Sequence, residues 1–135
     1  MNPETASSSG SRLGDADAVA GVGTQIVLDL YDCRSDRLDD IVWVESTLTE
    51  AARVAGATIV DIVFHKFTPW GISGVVVISE SHLAIHIWLE KHYAAVDVFT
   101  CGDSVDLDHV VGYLVAAFQA QRSESRRFSR GQRLR

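Results

Sequence analysis

The chain has 135 residues, 47% hydrophobic and 22% charged, with only 2 prolines, the make-up of one compact domain and not of a disordered chain. Its longest apolar runs, such as Gly74-Val75-Val76-Val77-Ile78, fall far short of the roughly 18 residues a membrane-spanning helix needs. The formal charge of -6 is unevenly placed: half of the 12 basic residues lie between Arg122 and Arg135 beside a single acid, Glu124, and so acidic a body argues against nucleic acid as a partner.

Residues 1–22, rich in Ser, Gly, Ala and Asp, carry no periodic apolar pattern and read as a disordered N-terminal extension. They lack the charged and apolar regions of a secretory signal, and two distant cysteines make no disulfide framework. The expectation is a cytoplasmic protein with both thiols free and no membrane association.

The folded domain is expected over residues 23–121. From Thr24 to Tyr31 the apolar residues Ile26, Leu28 and Leu30 alternate with polar ones, as in a first strand. A helix of about five turns follows, capped by Ser35 or Asp36 and stopped by Gly56, with Leu38, Ile41, Val42, Val44, Leu48, Ala51 and Ala52 at helical spacing. Four strand patterns come next, at Thr58 to Phe67, Gly74 to Ser79, His82 to Leu89 and Tyr93 to Thr100, rich in β-branched and aromatic residues. Their connections are too short for helical crossovers, so they pair antiparallel. A second helix spans Leu107 to Gln121, with Val110, Val111, Leu114, Val115 and Phe118 as its apolar stripe. Residues 122–135 read as a basic, flexible tail. The order of elements predicts an α+β, two-layer sandwich: a mostly antiparallel sheet with two helices packed on one face.

The pattern Ser79-Glu80-Ser81-His82-Leu83-Ala84-Ile85-His86-Ile87-Trp88 sets reactive groups inside an apolar strand. Period-two geometry sends His82, Ala84, His86 and Trp88 to one face and Leu83, Ile85, Ile87 and Leu89 to the other. The second set is core. The first is either a half-exposed wall with solvated histidines or a site. A shared metal does not fit, because His82 and His86, four apart on a strand, lie about 13 Å from each other. A serine hydrolase does not fit either, because Gly71-Ile72-Ser73-Gly74-Val75 is not the G-x-S-x-G elbow.

The stretch from Phe64 to His86, FHKFTPWGISGVVVISESHLAIH, followed by Tyr93 to Gly102, YAAVDVFTCG, closely resembles the prokaryotic S-adenosylmethionine decarboxylase proenzymes. The likeness extends more weakly to Leu28-Asp29-Leu30-Tyr31-Asp32-Cys33 and Ala55-Gly56-Ala57-Thr58-Ile59-Val60, and so covers roughly residues 22–120. It implies self-cleavage between Glu80 and Ser81: the Ser81 hydroxyl attacks the Glu80 carbonyl, an ester replaces the amide, and β-elimination leaves a pyruvoyl group at the new N-terminus. By the same resemblance His86 is the processing base or proton donor, Ser73 helps by hydrogen bonding to the oxyoxazolidine-type intermediate, and Cys101 donates the proton that completes decarboxylation. The pyruvoyl group made from Ser81 is the only cofactor implied, binding substrate as a Schiff base and accepting electrons as pyridoxal does elsewhere; no metal is called for.

Substrate contacts implied by the resemblance fall on Phe67, as an adenine-stacking ring, and on His82, Trp88 and Glu90. The family forms dimers of processed protomers, so a homodimer is implied as well. Two departures stand out. His86-Ile87-Trp88-Leu89-Glu90-Lys91-His92 replaces the usual His-Thr-Trp-Pro-Glu, and Gly23-Thr24-Gln25 replaces a Gly-x-His. The resemblance therefore leaves three readings: a decarboxylase of S-adenosylmethionine, supplying the aminopropyl donor for spermidine; a pyruvoyl-dependent ornithine or arginine decarboxylase; or a processing-dead regulatory homologue. An intact Glu80-Ser81, His86 and Cys101 favour the enzyme.

Overall fold

In the computed structural model, which describes residues 21–134, a first strand β1 (Gly23–Cys33) carries Ile26, Leu28 and Leu30 on one face. That face alternates as the sequence predicts, and it lies at the bottom of the core. Helix α1 (Ile41–Val54) is shorter than the predicted helix at both ends, because residues 36–39 form turns. Its cap is therefore Asp40, not Ser35 or Asp36: an Asp40 carboxylate oxygen accepts the Trp43 N–H at 3.1 Å, satisfying one of the helix's open donors. Strands β2 (Ile59–Lys66), β3 (Ile72–Ile78), β4 (Ser81–Trp88) and β5 (Tyr93–Thr100) fall within two residues of their predicted bounds. A 3-10 turn, Leu89–Lys91, links β4 to β5.

Helix α2 (Leu107–Phe118) is capped by Asp106, whose side chain accepts the His109 N–H at 3.0 Å. It stops three residues before the predicted end, because Gln119 takes a left-handed conformation with φ 52° and turns the chain back. The residues expected as a flexible tail then form a sixth strand, β6 (Ala120–Arg130). It pairs antiparallel with β1 from Gly23 opposite Arg130 to Cys33 opposite Ala120. The folded domain thus runs to about residue 130, not 121. Almost every β6 side chain is exposed, so backbone hydrogen bonding, which is indifferent to side-chain polarity, holds the strand. The predicted N-terminal extension, up to residue 20, lies outside the described residues.

The six strands make one sheet in the order β2-β3-β4-β5-β1-β6, with all neighbours antiparallel. Both helices cover one face. Val44, Leu48, Ala51 and Ala52 from α1, and Val110, Leu114 and Phe118 from α2, meet Leu28, Val76, Leu83, Ile85, Val96 and Val98 of the sheet, giving the predicted α+β sandwich. Trp43 of α1 packs on Phe118 of α2 with ring centroids 5.3 Å apart. Burying side chains of this size contributes about 1.5–3 kcal/mol each. Among the described residues no helix is long and apolar enough to cross a membrane. The second face of the sheet carries no helix, and the reactive residues line it.

Candidate active site

Register sets the order of side chains on the open face. Along β4 the inner residues Leu83, Ile85 and Ile87 are buried, while His82 and Ala84 are half-buried and His86 and Trp88 exposed. Cross-strand pairing puts His65 beside Ser73, Ser73 beside His86, His86 beside Ala95, Ala95 beside Asp29, and Asp29 beside Glu124. Within that row Ser73 Oγ and His86 Nδ1 are hydrogen bonded at 2.9 Å, which fixes the ring of the expected processing base and leaves its other nitrogen free to work.

The Glu80–Ser81 bond sits in the tight β3–β4 turn at one end of the sheet. Three contacts hold it. The Ser79 N–H donates to the Thr58 carbonyl at 2.9 Å, and the Thr58 N–H donates to Glu80 Oε1 at 3.2 Å. The Cys101 N–H donates to the Glu80 carbonyl at 2.9 Å, the carbonyl of the bond expected to be cut. A backbone N–H on that oxygen polarises the bond and stabilises the negative charge that attack creates. Ser81 itself has φ 147°, a region that is essentially glycine's, at a cost of order 1–3 kcal/mol for a residue with a side chain. The Glu80–Ser81 link is therefore both strained and oriented. Cys101, a free and exposed thiol, follows the buried Thr100, which pairs with Ser81. His82 packs near Phe99, centroids 6.2 Å apart.

Phe67, Trp88 and Glu90 gather at the opposite end of the sheet. Phe67 is 48% exposed beyond the end of β2, where its N–H donates to the Gly71 carbonyl at 2.7 Å across a turn containing the cis Thr68-Pro69 peptide. The His65 ring meets it edge-on at 4.5 Å. Trp88 stacks toward Tyr93, and Tyr93 on Tyr31, each at 5.4 Å. The Arg122 guanidinium lies 4.3 Å above the Tyr31 ring, an attractive cation–π placement. Tyr93 donates a short hydrogen bond to Asp29. Burial, and then that bond to a carboxylate, raise the Tyr93 phenol well above its ordinary pKa, so it stays a neutral donor. Glu90 is exposed in the 3-10 turn, which His92 closes with φ 49°.

The expected site is thus divided. Glu80, Ser81, His82 and Cys101 stand at one end, and Ser73, His86, Phe67, Trp88 and Glu90 at the other or on the way to it. Ser81 and His86 are five positions apart on β4, about 16 Å at roughly 3.3 Å per residue. One chain does not bring the expected processing base, His86, to Ser81. Sequence reasoning also missed the groups that hold the Glu80–Ser81 turn, because they are backbone atoms: the Cys101 N–H on the Glu80 carbonyl, and the Thr58 N–H and carbonyl on the Glu80 carboxylate and the Ser79 N–H. Neither did it single out Asp29, Tyr31, Tyr93 and Arg122, whose association depends on strands far apart in the chain. Among the described residues no set of three or more His, Cys, Asp or Glu is arranged to hold a metal.

The fold is that of a known class of decarboxylase. The crystal structure of the adenosylmethionine decarboxylase from Aquifex aeolicus VF5 superposes with a TM-score of 0.77 at 31% identity, covering 83% of this chain and 92% of that one. The sequence profile of the S-adenosylmethionine decarboxylase family matches residues 24–131, which include β6. Proteins named S-adenosylmethionine decarboxylase proenzyme are 56% identical over 106 residues in Pseudomonas paraeruginosa and 61% over 90 residues in Pseudomonas aeruginosa, matches covering 78% and 67% of this chain. The match covers 66% and 56% of those two relatives' lengths. In Carboxydothermus hydrogenoformans the figures are 50% over 110 residues, 82% of this chain and 87% of that protein. The chain belongs to the S-adenosylmethionine decarboxylase family.

Proposed function

We propose that this chain is a proenzyme that cuts itself between Glu80 and Ser81 and then decarboxylates S-adenosylmethionine, as a homodimer whose sites each draw on two copies. The observation that carries the reading is the scissile turn: a strained Ser81 whose attack target, the Glu80 carbonyl, is already bonded to the Cys101 N–H at 2.9 Å. Ser81 Oγ adds to that carbonyl carbon, the C–N bond breaks, and an ester with a free Ser81 amine results. A base then takes the Ser81 Cα proton, the Cβ–Oγ bond breaks, and Glu80 departs as a carboxylate that keeps the serine oxygen. Water replaces the nitrogen left on the new N-terminus, which is released as ammonia, and a ketone remains. That ketone, the pyruvoyl group, supplies the electron sink for decarboxylation.

His86, steadied by Ser73, is the base, and the 16 Å gap within a chain supports its acting on the turn of a second copy. The open sheet face suits that arrangement. It presents the exposed Val27, Val63 and Phe128 together with Val75, Val77 and Ala84, and a two-fold axis through two such faces sets one copy's turn against the other's Ser73–His86 pair. Phe67 then stacks the adenine, Trp88 and His82 line the pocket, and Glu90 faces the ribose or the sulfonium. The Cys101 thiol protonates the product carbon.

The test is intact mass under denaturing conditions, followed by CO2 release. Two chains dividing between Glu80 and Ser81, with S-adenosylmethionine consumed in preference to ornithine or arginine, is the expected result. One chain that stays whole under prolonged incubation refutes self-cleavage, and preference for ornithine or arginine refutes the substrate.

A further inference from the structure

Cleavage at the β3–β4 turn would divide the sheet in an interleaved way. The N-terminal piece keeps β1, α1, β2 and β3, and the C-terminal piece keeps β4, β5, α2 and β6. In the order β2-β3-β4-β5-β1-β6, β1 then lies between two strands of the other piece. Its pairing with β5 ends at Leu30 opposite Ala94, whereas its pairing with β6 continues to Cys33 opposite Ala120. Side chains reinforce the longer seam: Arg130 donates to the Gln25 side-chain oxygen, and Arg122 sits over Tyr31. Arg127 bonds Asp108 of α2 at 2.8 Å and so anchors β6 to its own piece.

We propose that β6 is a clasp that retains the N-terminal piece after self-cleavage. The inference rests on the cut falling between Glu80 and Ser81. While the chain is whole, the β3–β4 turn tethers the two pieces, and loss of a strand pairing is repaired within one molecule. Once it is cut, only the β3–β4 and β1–β5 ladders and the shared core join the pieces without β6, and losing the β1–β6 ladder raises the concentration at which they separate, since the high effective concentration of a tethered partner is gone. β6 adds little to the core, as its side chains are nearly all exposed. Its value lies in the second ladder along β1, without which β1 would be an edge strand held on one side.

Successive N–H groups of a strand point to opposite edges, so only one register of β6 bonds to β1. Full-length protein carrying Ser123→Pro with Ser125→Pro is compared with protein carrying Glu124→Pro with Arg126→Pro, each with Ser81 intact and with Ser81→Ala. Proline removes the N–H, which matters toward β1 and is tolerated toward the open edge. The readout is size-exclusion of the cut protein across a dilution series, with circular dichroism of the uncut forms.

The expected result is that one double variant raises the concentration at which the two pieces separate by about 100-fold or more, while the other behaves as wild type and every Ser81→Ala form stays folded. If both cut variants hold together as wild type does, the clasp is refuted while self-cleavage stands. If a Ser81→Ala form carrying the prolines unfolds, β6 is needed to fold the chain and not to retain a piece, which also overturns the proposal. Wild-type protein that never cuts defeats the self-cleavage reading and the clasp with it.

Discussion

Substituting the base and the nucleophile on different copies tests whether the site is shared. Ser81 and His86 lie at opposite ends of a strand that is paired on both sides, about 16 Å apart. Proton transfer needs roughly 3 Å, and β4 cannot fold back on itself without losing both ladders. His86→Ala alone and Ser81→Ala alone should each stay uncut. Co-expressed in equal amounts, random pairing makes roughly half of the dimers mixed. In a mixed dimer the His86→Ala chain keeps Ser81 and faces an intact imidazole on the other copy, so it is cut; the Ser81→Ala chain has no hydroxyl and is not. Intact mass should therefore show roughly half of the His86→Ala chains cleaved and none of the Ser81→Ala chains. Mixed dimers demonstrated by a tag pull-down yet wholly uncut would refute the shared site, as would efficient cleavage of His86→Ala alone.

Four further outcomes follow from single contacts. Ser81→Gly and Ser81→Ala are both uncuttable, and because φ 147° suits only glycine, the Gly form should be more stable in urea by about 1–3 kcal/mol; equal midpoints would mean the turn holds no strain. Cys101→Ala keeps the N–H on Glu80 and should cleave as wild type but turn over poorly, whereas Cys101→Pro lacks that N–H and should arrest as a single chain in the mass spectrum; wild-type turnover by Cys101→Ala would remove the thiol from the mechanism. A Cβ at Gly74 would come 2.0 Å from the Phe64 ring, so Gly74→Ala should cost about 1–3 kcal/mol, relieved when Phe64→Ala is added; a midpoint unchanged by Gly74→Ala counts against that packing. Burial pushes the Cys33 thiol from 9.0 up to about 11. The unfolded chain then loses its proton first, so this stability is intact below pH 9 and lost as pH rises through 11, by about 2–3 kcal/mol, and Cys33→Ala should flatten that part of a urea-midpoint profile.

Much of the fold is legible from local periodicity. Alternation in β4 assigns Leu83, Ile85 and Ile87 to the core and His82, His86 and Trp88 to the open face, because successive strand side chains must point to opposite sides. Helical spacing does the same for Val110, Leu114 and Phe118. Where such a signal is missing, the reading stops short. β6 has no apolar alternation, since its neighbour β1 bonds its backbone and leaves its side chains in water. The cap of α1 moved to Asp40 because several acids and a serine compete to cap within a few residues, and only packing decides where the first turn closes.

The candidate site divides along the same line. The resemblance picked out Glu80, Ser81, Ser73, His86 and Cys101 as residue types in a motif, and the chain alone fixes their spacing. Tertiary structure decided which of them meet. Ser73 reaches His86 because β3 and β4 pair in the register that sets 73 against 86, and the Cys101 N–H reaches Glu80 because β5 ends beside the turn. His86 is held away from Ser81 by the extended strand they share, about 16 Å over five positions. Distance along one strand follows from its rise per residue and can be read from the sequence, but distance across a sheet is fixed by hydrogen-bond register, and which side chains of different strands meet can be known only once that register is known.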